Sequence, residues 1–589
     1  MNAQTPVCRW MYLTAWACKG KPMTTDRTKQ PVTVTVDAAQ SRGTLKRIWR
    51  SIGYDELNWT YTPLGKRIFE EIGGLNDGPF WIRNHNIFSS GNLRSSPYEA
   101  STNCYSEDAD GNAVYDWTTV DRIYDIYVAN GCKPMIELDF MPHDLSRCPK
   151  QKPYESGRFP PRDYDKWREL NRRFAQHLID RYGLDEVRTW YFSSWNEPDL
   201  TIWIDIPREA GRDEDAHQAA RTEEFLKIHD YAIDGILAAD DRLRVGGPDS
   251  AWADSGMLET FLEHCDSGTN YATGGTGSRL DFISFHAKGT GKRDGKVLPP
   301  DFDQIARRDL LKGVSVIREF PRYRDLPLLL NEWDIDVWSP GGIHDFPGFS
   351  FRNTSYFPVF LIRTVKEMLD LCDREEINVE LITQWTFYFH GFRCFEGTRS
   401  LVDPMGIRKP LFNGFELLAR LGDERLPVTT DDTAKDIAPG QEAGMSCRRR
   451  PRDAADAEAL GPEMCIQPYP QIDGMATRDS GGIQVLVWNQ IVDVEFISPR
   501  RVRIKVDGLD GYNSVRVTEY RVGPRHSNAH TIWQQLGCPD YPDEEQIAAM
   551  RERERLEAIR TDVPIPVRNG VLELETTLPT HAASLFTVV

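Results

Sequence analysis

From about residue 75 to about residue 425 the chain alternates short apolar runs with longer amphipathic ones, and few folds accept that rhythm for so long. The runs Phe80 to His85, Lys133 to Phe140, Thr189 to Trp195, Arg244 to Gly247, Asp281 to His286, Pro327 to Glu332 and Glu380 to Phe387 are brief and apolar on both faces. That is the pattern of parallel strands covered by helices. Between them, Trp167, Leu170, Phe174 and Leu178 recur at steps of three and four within Tyr164 to Tyr182, which predicts a helix with one apolar stripe. Thr222 to Ala239 and Asn353 to Leu371 repeat the device. The expected fold class is α/β, a (β/α)8 TIM barrel; a doubly wound open sheet competes, but lacks a Gly-rich first turn.

Active sites on such barrels form where strands end and loops begin. The polar exceptions in these strands fall there: His85, Glu137, Asp139, Asn196, Glu197, His286, Lys288, Glu332 and Gln384. Glu197 closes Trp195-Asn196-Glu197-Pro198, and Glu332 stands in Leu328-Leu329-Leu330-Asn331-Glu332-Trp333. Two carboxylic residues at strand ends are the minimal equipment for cleaving a glycosidic bond, one protonated to release the leaving oxygen and one ionised to meet the anomeric carbon. Burial of Glu197 behind an apolar strand is expected to raise its pKa and keep it a proton donor. Asn196 is placed to bond a sugar hydroxyl beside the reacting carbon. Taken alone, Glu332 reads equally well as a salt-bridge partner; the pair is the argument.

The bulk composition narrows the partners. A formal charge of −18 argues against nucleic acid. No apolar run reaches membrane-spanning length. The 11 Cys form no CxxC pair or regular spacing, which points to reduced thiols and a cytoplasmic location. Residues 1–30 read as an extension; Trp10 to Ala17 faintly resembles a secretion signal, which leaves export open, although Pro6, Cys8 and Thr14 fit poorly and Met23 is an alternative start. The 12 His give no HExxH or HxH cluster, and no Gly-x-Ser-x-Gly elbow or P-loop occurs, so neither metal nor cofactor is expected. Glu137 and Asp139 read as a rim hydrogen-bond network rather than metal ligands. Assembly into a homo-oligomer is left open.

Residues 41–425 are assigned to the barrel and residues 426–482, rich in Asp, Ala, Gly, Arg and Pro, to an irregular linker or insertion. Ile483 to Trp488, Val502 to Val506, Ser514 to Tyr520 and Val571 to Thr577 alternate apolar and polar, the pattern of an antiparallel β-sandwich over residues 483–589. Glu544 to Ile559 is predicted as an inserted helix. The run Val32 to Val36, within 31–40, is expected to join that accessory sandwich, building it from both ends of the chain.

Trp195-Asn196-Glu197-Pro198 and Asn331-Glu332-Trp333, in a barrel of this order, resemble the retaining glycosidases that carry acid/base and nucleophile on strands four and seven. With Val245-Gly246-Gly247-Pro248, Asp281-Phe282-Ile283-Ser284-Phe285-His286 and Gln384-Trp385-Thr386-Phe387, the resemblance is to glycoside hydrolase family 39, over roughly residues 30 to 425. That family contains β-xylosidases and α-L-iduronidases. The resemblance implies Glu197 as acid/base and Glu332 as nucleophile, with His85 and His286 contacting the sugar. His286-Ala287-Lys288-Gly289 resembles an iduronidase motif whose lysine holds a uronate carboxylate, and Arg399 corresponds to a second iduronidase cation. Trp385 departs from it, standing where iduronidases carry an Asp; an aromatic wall against a pyranose lacking a C6 substituent fits the xylosidases. Arg525 to Trp533 resembles the C-terminal region of iduronidases and some bacterial xylosidases. The expected activity is that of a retaining exo-glycosidase, a β-D-xylosidase releasing xylose from non-reducing ends of an oligosaccharide. The alternatives are an α-L-iduronidase-like or arabinosidase-like enzyme, or a non-catalytic carbohydrate-binding protein.

Overall fold

The computed structural model describes residues 31–432 and 470–589, apart from 95–98, 150, 210, 291, 294–295, 298–299, 301, 303, 337–340, 492–493 and 495–496. The extension 1–30 and the middle of the 426–482 segment lie outside the described residues. Eight parallel strands close into a barrel: Ser51–Tyr54, Trp81–Asn84, Lys133–Glu137, Tyr191–Ser193, Arg244–Ser250, Phe282–Phe285, Leu328–Asp336 and Val379–Trp385. The register runs Ile52 to Ile82, Met135 to Tyr191, Phe192 to Val245, Ile283 to Leu328 and Leu329 to Leu381, and returns through Gln384 to Ile52. Met135, Tyr191, Phe282, Leu329 and Leu381 fill the barrel's interior.

The first strand is the one that the periodicity does not reveal. Ser51-Ile52-Gly53-Tyr54 is four residues long and holds a glycine, so its apolar signal is weak. The glycine has a packing reason: a Cβ at Gly53 would lie 2.1 Å from the Trp385 ring.

The helices follow their sequence stripes. Tyr164–Tyr182 buries Trp167, Leu170, Phe174 and Leu178; Asp163 caps its start, accepting from the Lys166 amide at 3.0 Å, and Gly183 at φ 82° follows its end. Its partner, Glu214–Ala239, begins eight residues before the expected Thr222, because its first two turns carry mostly polar residues and show no stripe. The two approach closely at Gly235, whose added Cβ would meet the Arg168 carbonyl at 2.4 Å.

The second sheet system joins distant parts of the chain. Val32–Asp37 pairs with Arg500–Asp507 in parallel and with Val428–Thr430 antiparallel; the other pairings are antiparallel. Val34, Val36, Val485, Val502, Ile504, Leu572 and Phe586 form its core. Two expectations need correcting. The helix expected over 544–559 stops at Arg551, and Glu557–Arg568 is a strand. Its first half carries Glu557, Arg560 and Asp562, a run of charge that reads as helix as readily as strand. The 426–482 segment is not irregular throughout, since Val428–Thr430 and Ile472–Asp479 belong to the sheet. Bonds from Lys366 Nζ to Asp473 at 2.7 Å and from Asn413 Nδ2 to the Ser527 and Glu554 carbonyls at 2.8 and 3.0 Å tie barrel to sandwich.

Gly53→Ala is expected to destabilise the protein by about 1–3 kcal/mol, because the Trp385 ring must shift inside a close-packed barrel. Thermal or urea denaturation of the variant measures this.

Candidate active site

The fourth strand, Tyr191–Ser193, is wholly buried, and the chain turns sharply after it. Trp195 and Glu197 take left-handed backbone conformations, φ 69° and 42°, although neither is glycine. Such residues cost on the order of 1–3 kcal/mol each and persist only where surrounding contacts fix them. Those contacts are present. The Trp195 indole donates to the Trp203 carbonyl at 3.1 Å, the Glu197 amide donates to the Asp249 carbonyl at 3.0 Å, and Ser194 Oγ meets His229 Nδ1 at 2.6 Å. Glu332 sits within the seventh strand, all nine residues of which are buried.

The strands carry the two glutamates to one point. Donor atoms of Glu197, His286 and Glu332 lie within 4.8 Å of one another. Lys288 Nζ sits between the carboxylates, 3.0 Å from Glu197 Oε1 and 2.7 Å from Glu332 Oε1. His286 Nδ1 is 3.0 Å from Glu197 Oε1, and its Nε2 faces Arg83 Nη2 at 3.2 Å. Arginine only donates, so Nε2 accepts and Nδ1 carries the proton that goes to Glu197. Arg83 Nη2 also donates to Asn196 Oδ1 at 3.0 Å, and Nη1 lies 3.5 Å from Glu332 Oε2. Asn196 Nδ2 is buried without a protein partner. Trp203 Nε1 donates to Glu197 Oε2 at 2.5 Å.

Burial alone would raise the Glu197 carboxyl, but the Lys288 ammonium and the His286 hydrogen bond hold it well below the usual carboxylate range. For Glu332, burial is likewise outweighed by Lys288 and His286, leaving it at about 2. Burial leaves His286 below its ordinary value, so the ring is neutral. His85 differs. Burial opposes its charge, yet Glu137 and Asp139 raise it well above its ordinary value. Its Nδ1 lies 2.7 Å from Glu137 Oε2 and 3.5 Å from Asp139 Oδ2, while Arg83 pairs with the other Glu137 oxygen.

Among the described residues, two sets of ligand atoms are close enough to hold a cation, Glu197/His286/Glu332 and His85/Glu137/Asp139. The first already encloses the Lys288 ammonium, and the second contains a protonated imidazole that cannot ligate a metal. Neither set offers the donors that a resident divalent ion needs.

A family model for glycosyl hydrolases family 39 matches residues 93–571. The chain belongs to that family. Among its relatives, a β-xylosidase of Caldicellulosiruptor saccharolyticus is 26% identical over 499 residues, 82% of this chain and 85% of the relative. An α-L-iduronidase of Canis lupus familiaris is 28% identical over 576 residues, 89% of this chain and 73% of the relative. The crystal structure of a monomeric β-xylosidase from Caulobacter crescentus CB15 superposes with a TM-score of 0.70 at 21% identity, covering 94% of this chain and 99% of that one, which shows a shared fold. The protein is thus a family 39 glycoside hydrolase.

Within this family 39 barrel, Glu197, Asn196, His85, His286 and Lys288 follow the C-terminal ends of their strands, whereas Glu332, expected at a strand end, lies mid-strand because the seventh strand runs on to Asp336. Three further expectations change. Glu197 is held ionised, not protonated, because burial is overruled by Lys288, two residues after His286, together with His286 itself. Trp385 is buried, with the Arg83 guanidinium 5.1 Å from its ring centroid and His85 4.8 Å away, so it is a floor beneath the site more than an open wall. Arg399 is fully buried against Asp334 and donates to the Asp336 carbonyl at 2.7 Å, meeting neither glutamate. Arg83 and Trp203 are site residues that the sequence did not single out. Arg83 reads as a stray cation inside a strand, and only its spatial partner Glu137 reveals its place. Trp203 lies in an irregular turn after the fourth strand.

Lys288→Met removes the cation that favours the Glu197 anion, so the carboxyl keeps its proton to higher pH. The alkaline limb of the kcat/KM profile is expected to move up by about 1–3 pH units. A pH–rate series on an aryl glycoside measures the displacement.

Proposed function

We propose that the protein is a retaining, exo-acting glycosidase that cleaves β-D-xylosides at non-reducing ends by double displacement. The observation that carries this reading is the short gap between the carboxylates, with donor atoms of both within 4.8 Å. A carboxyl separation of about 5–5.5 Å leaves no room for a water between glutamate and sugar, whereas inverting enzymes need about 6.5–9.5 Å. Glu332, held at about 2, is ionised across the working pH range and suited to attack the anomeric carbon. Glu197 protonates the departing oxygen, and after departure of the aglycone it takes a proton from the water that releases the sugar. For Glu197 to begin as an acid, Lys288 must leave it. A glycoside entering the gap displaces the ammonium, and with that charge gone burial pushes the carboxyl back up against the remaining His286 bond, which favours uptake of a proton. Asn196 Nδ2, buried and unpartnered, is oriented by Arg83 to bond the hydroxyl next to the anomeric carbon. The β-xylosidase relatives support the choice of sugar.

One observation favours a second reading. Lys288 is a buried ammonium beside both glutamates, and a uronate carboxylate would draw it from Glu197 more readily than a neutral sugar. α-L-Iduronides have the β-D-xyloside configuration from C1 to C4 and add a carboxylate at C5, and α-L-iduronidases are among the relatives.

A nitrophenyl glycoside panel containing β-D-xyloside, α-L-arabinosides and an α-L-iduronide, with product anomers followed by proton NMR, tests both. The expected result is retention with xyloside preferred. Inversion would exclude the double displacement, and iduronide preference would select the second reading. Glu197→Ala is expected to slow alkyl xylosides by about 10²–10⁴-fold and dinitrophenyl xyloside far less, since a good leaving group needs little proton donation. Equal loss for both would remove Glu197 from the acid role.

A further inference from the structure

We infer that Asp55 is a sugar-binding residue that holds the C3 and C4 hydroxyls of the pyranose, at the far end of the ring from the reacting carbon. The inference rests on the reading that a pyranose occupies this cavity. Asp55 directly follows Tyr54, the last residue of the first strand, and so stands on the same rim as Glu197 and Glu332. Strands four and seven supply the glutamates, and strand eight separates strand seven from strand one. A ring with C1 between the glutamates therefore extends its opposite edge toward strands one and two.

Asp55 is the carboxylate of this site most open to the cavity. Its side chain is 12% exposed, against 8% for Glu197, 5% for Glu332 and none for Glu137, Asp139 or Asp334. One oxygen lies 3.3 Å from His85 Nε2, on a ring that also serves Glu137 and Asp139, and the Trp385 side chain bonds the carboxyl as well, which leaves further lone pairs as acceptor positions. A carboxyl group with one edge open bonds two neighbouring hydroxyls at once, and equatorial C3 and C4 hydroxyls match its two oxygens.

The segment behind Asp55 is built to stay in place. Glu56 is buried and accepts from the His390 amide at 2.7 Å. Trp59 stacks on Tyr388, centroids 4.3 Å apart and planes 8° from parallel. Asn58 exchanges bonds with the Ser101 backbone at 2.7 and 2.9 Å. This buttress closes the rim between strands one and eight. A C4 hydroxyl facing Asp55 then meets this buttress in place of a further sugar, as the proposed action at chain ends requires.

The test compares kcat/KM for nitrophenyl β-D-xyloside with its 3-deoxy and 4-deoxy analogues in wild type, Asp55→Asn and Asp55→Ala. Hydrogen bonds to a charged group correspond to on the order of 10- to 100-fold in rate constant. Wild type is expected to lose that factor on deoxygenation, whereas Asp55→Ala loses it on the parent and is then nearly indifferent to deoxygenation. The ratio within one preparation does not depend on the fraction folded, so a partly misfolded variant still reports. Equal deoxy-to-parent ratios in wild type and Asp55→Ala would overturn the assignment while leaving the glycosidase reading intact. If the wild type prefers another pyranoside of the panel, the same comparison is made with that sugar's deoxy analogues; turnover of no pyranoside would instead overturn the reading on which the inference rests.

Discussion

One ammonium shared between two acids holds the site together. Glu197 and Glu332 approach within a distance at which two buried carboxylates would repel strongly, and Lys288 removes that conflict by bonding both. Its own position is fixed by backbone. Ala287–Thr290 continues the sixth strand and pairs with the seventh, setting Lys288 opposite Asp334. The Lys288 amide donates to Asp309 Oδ2 at 2.9 Å, and Gly289 lies so close to the seventh strand that a Cβ there would meet the Ile335 carbonyl at 2.1 Å. The lysine and the nucleophile candidate are thus in register on neighbouring strands.

Around this centre, buried acids and cations are interleaved. Arg83 serves Glu137 and reaches Glu332, His85 stands among Glu137, Asp139 and Asp55, and Arg399 serves Asp334. Removing one member leaves its partner charged and unpaired in a low-dielectric interior, which costs more than the pair itself contributes. The rim is therefore one coupled unit, and single substitutions within it will not act independently.

The sequence made the barrel legible because its strands are buried on both faces and their exceptions are polar. Glu197 and Glu332 stood out because each ends an apolar run. What stayed hidden lacked such contrast. Ser51–Tyr54 is short and contains Gly53, so Asp55 had no strand end to mark it. The ionisation of Glu197 depends on a lysine 91 positions away, and no local pattern gives the sign of that balance. Trp385 was visible as an aromatic at a strand end, but only packing against Gly53, Arg83 and His85 shows how little of it is open. Most sandwich strands were legible by alternation; charge masked Glu557–Arg568, and Ala582–Val588, buried at six of its seven positions, does not alternate.

The sandwich also has a temporal side. Val34 pairs with both Thr430 and Ile504, so its strand is made before the barrel and meets its partners only after the last barrel strand. The eight barrel strands are complete by Trp385, and the barrel can close on the ribosome while Val32–Asp37 waits unpaired. An apolar strand held in that condition invites association with other nascent chains. Slower synthesis lengthens that wait, because the first partner, Val428–Thr430, is made only after Trp385 has completed the barrel.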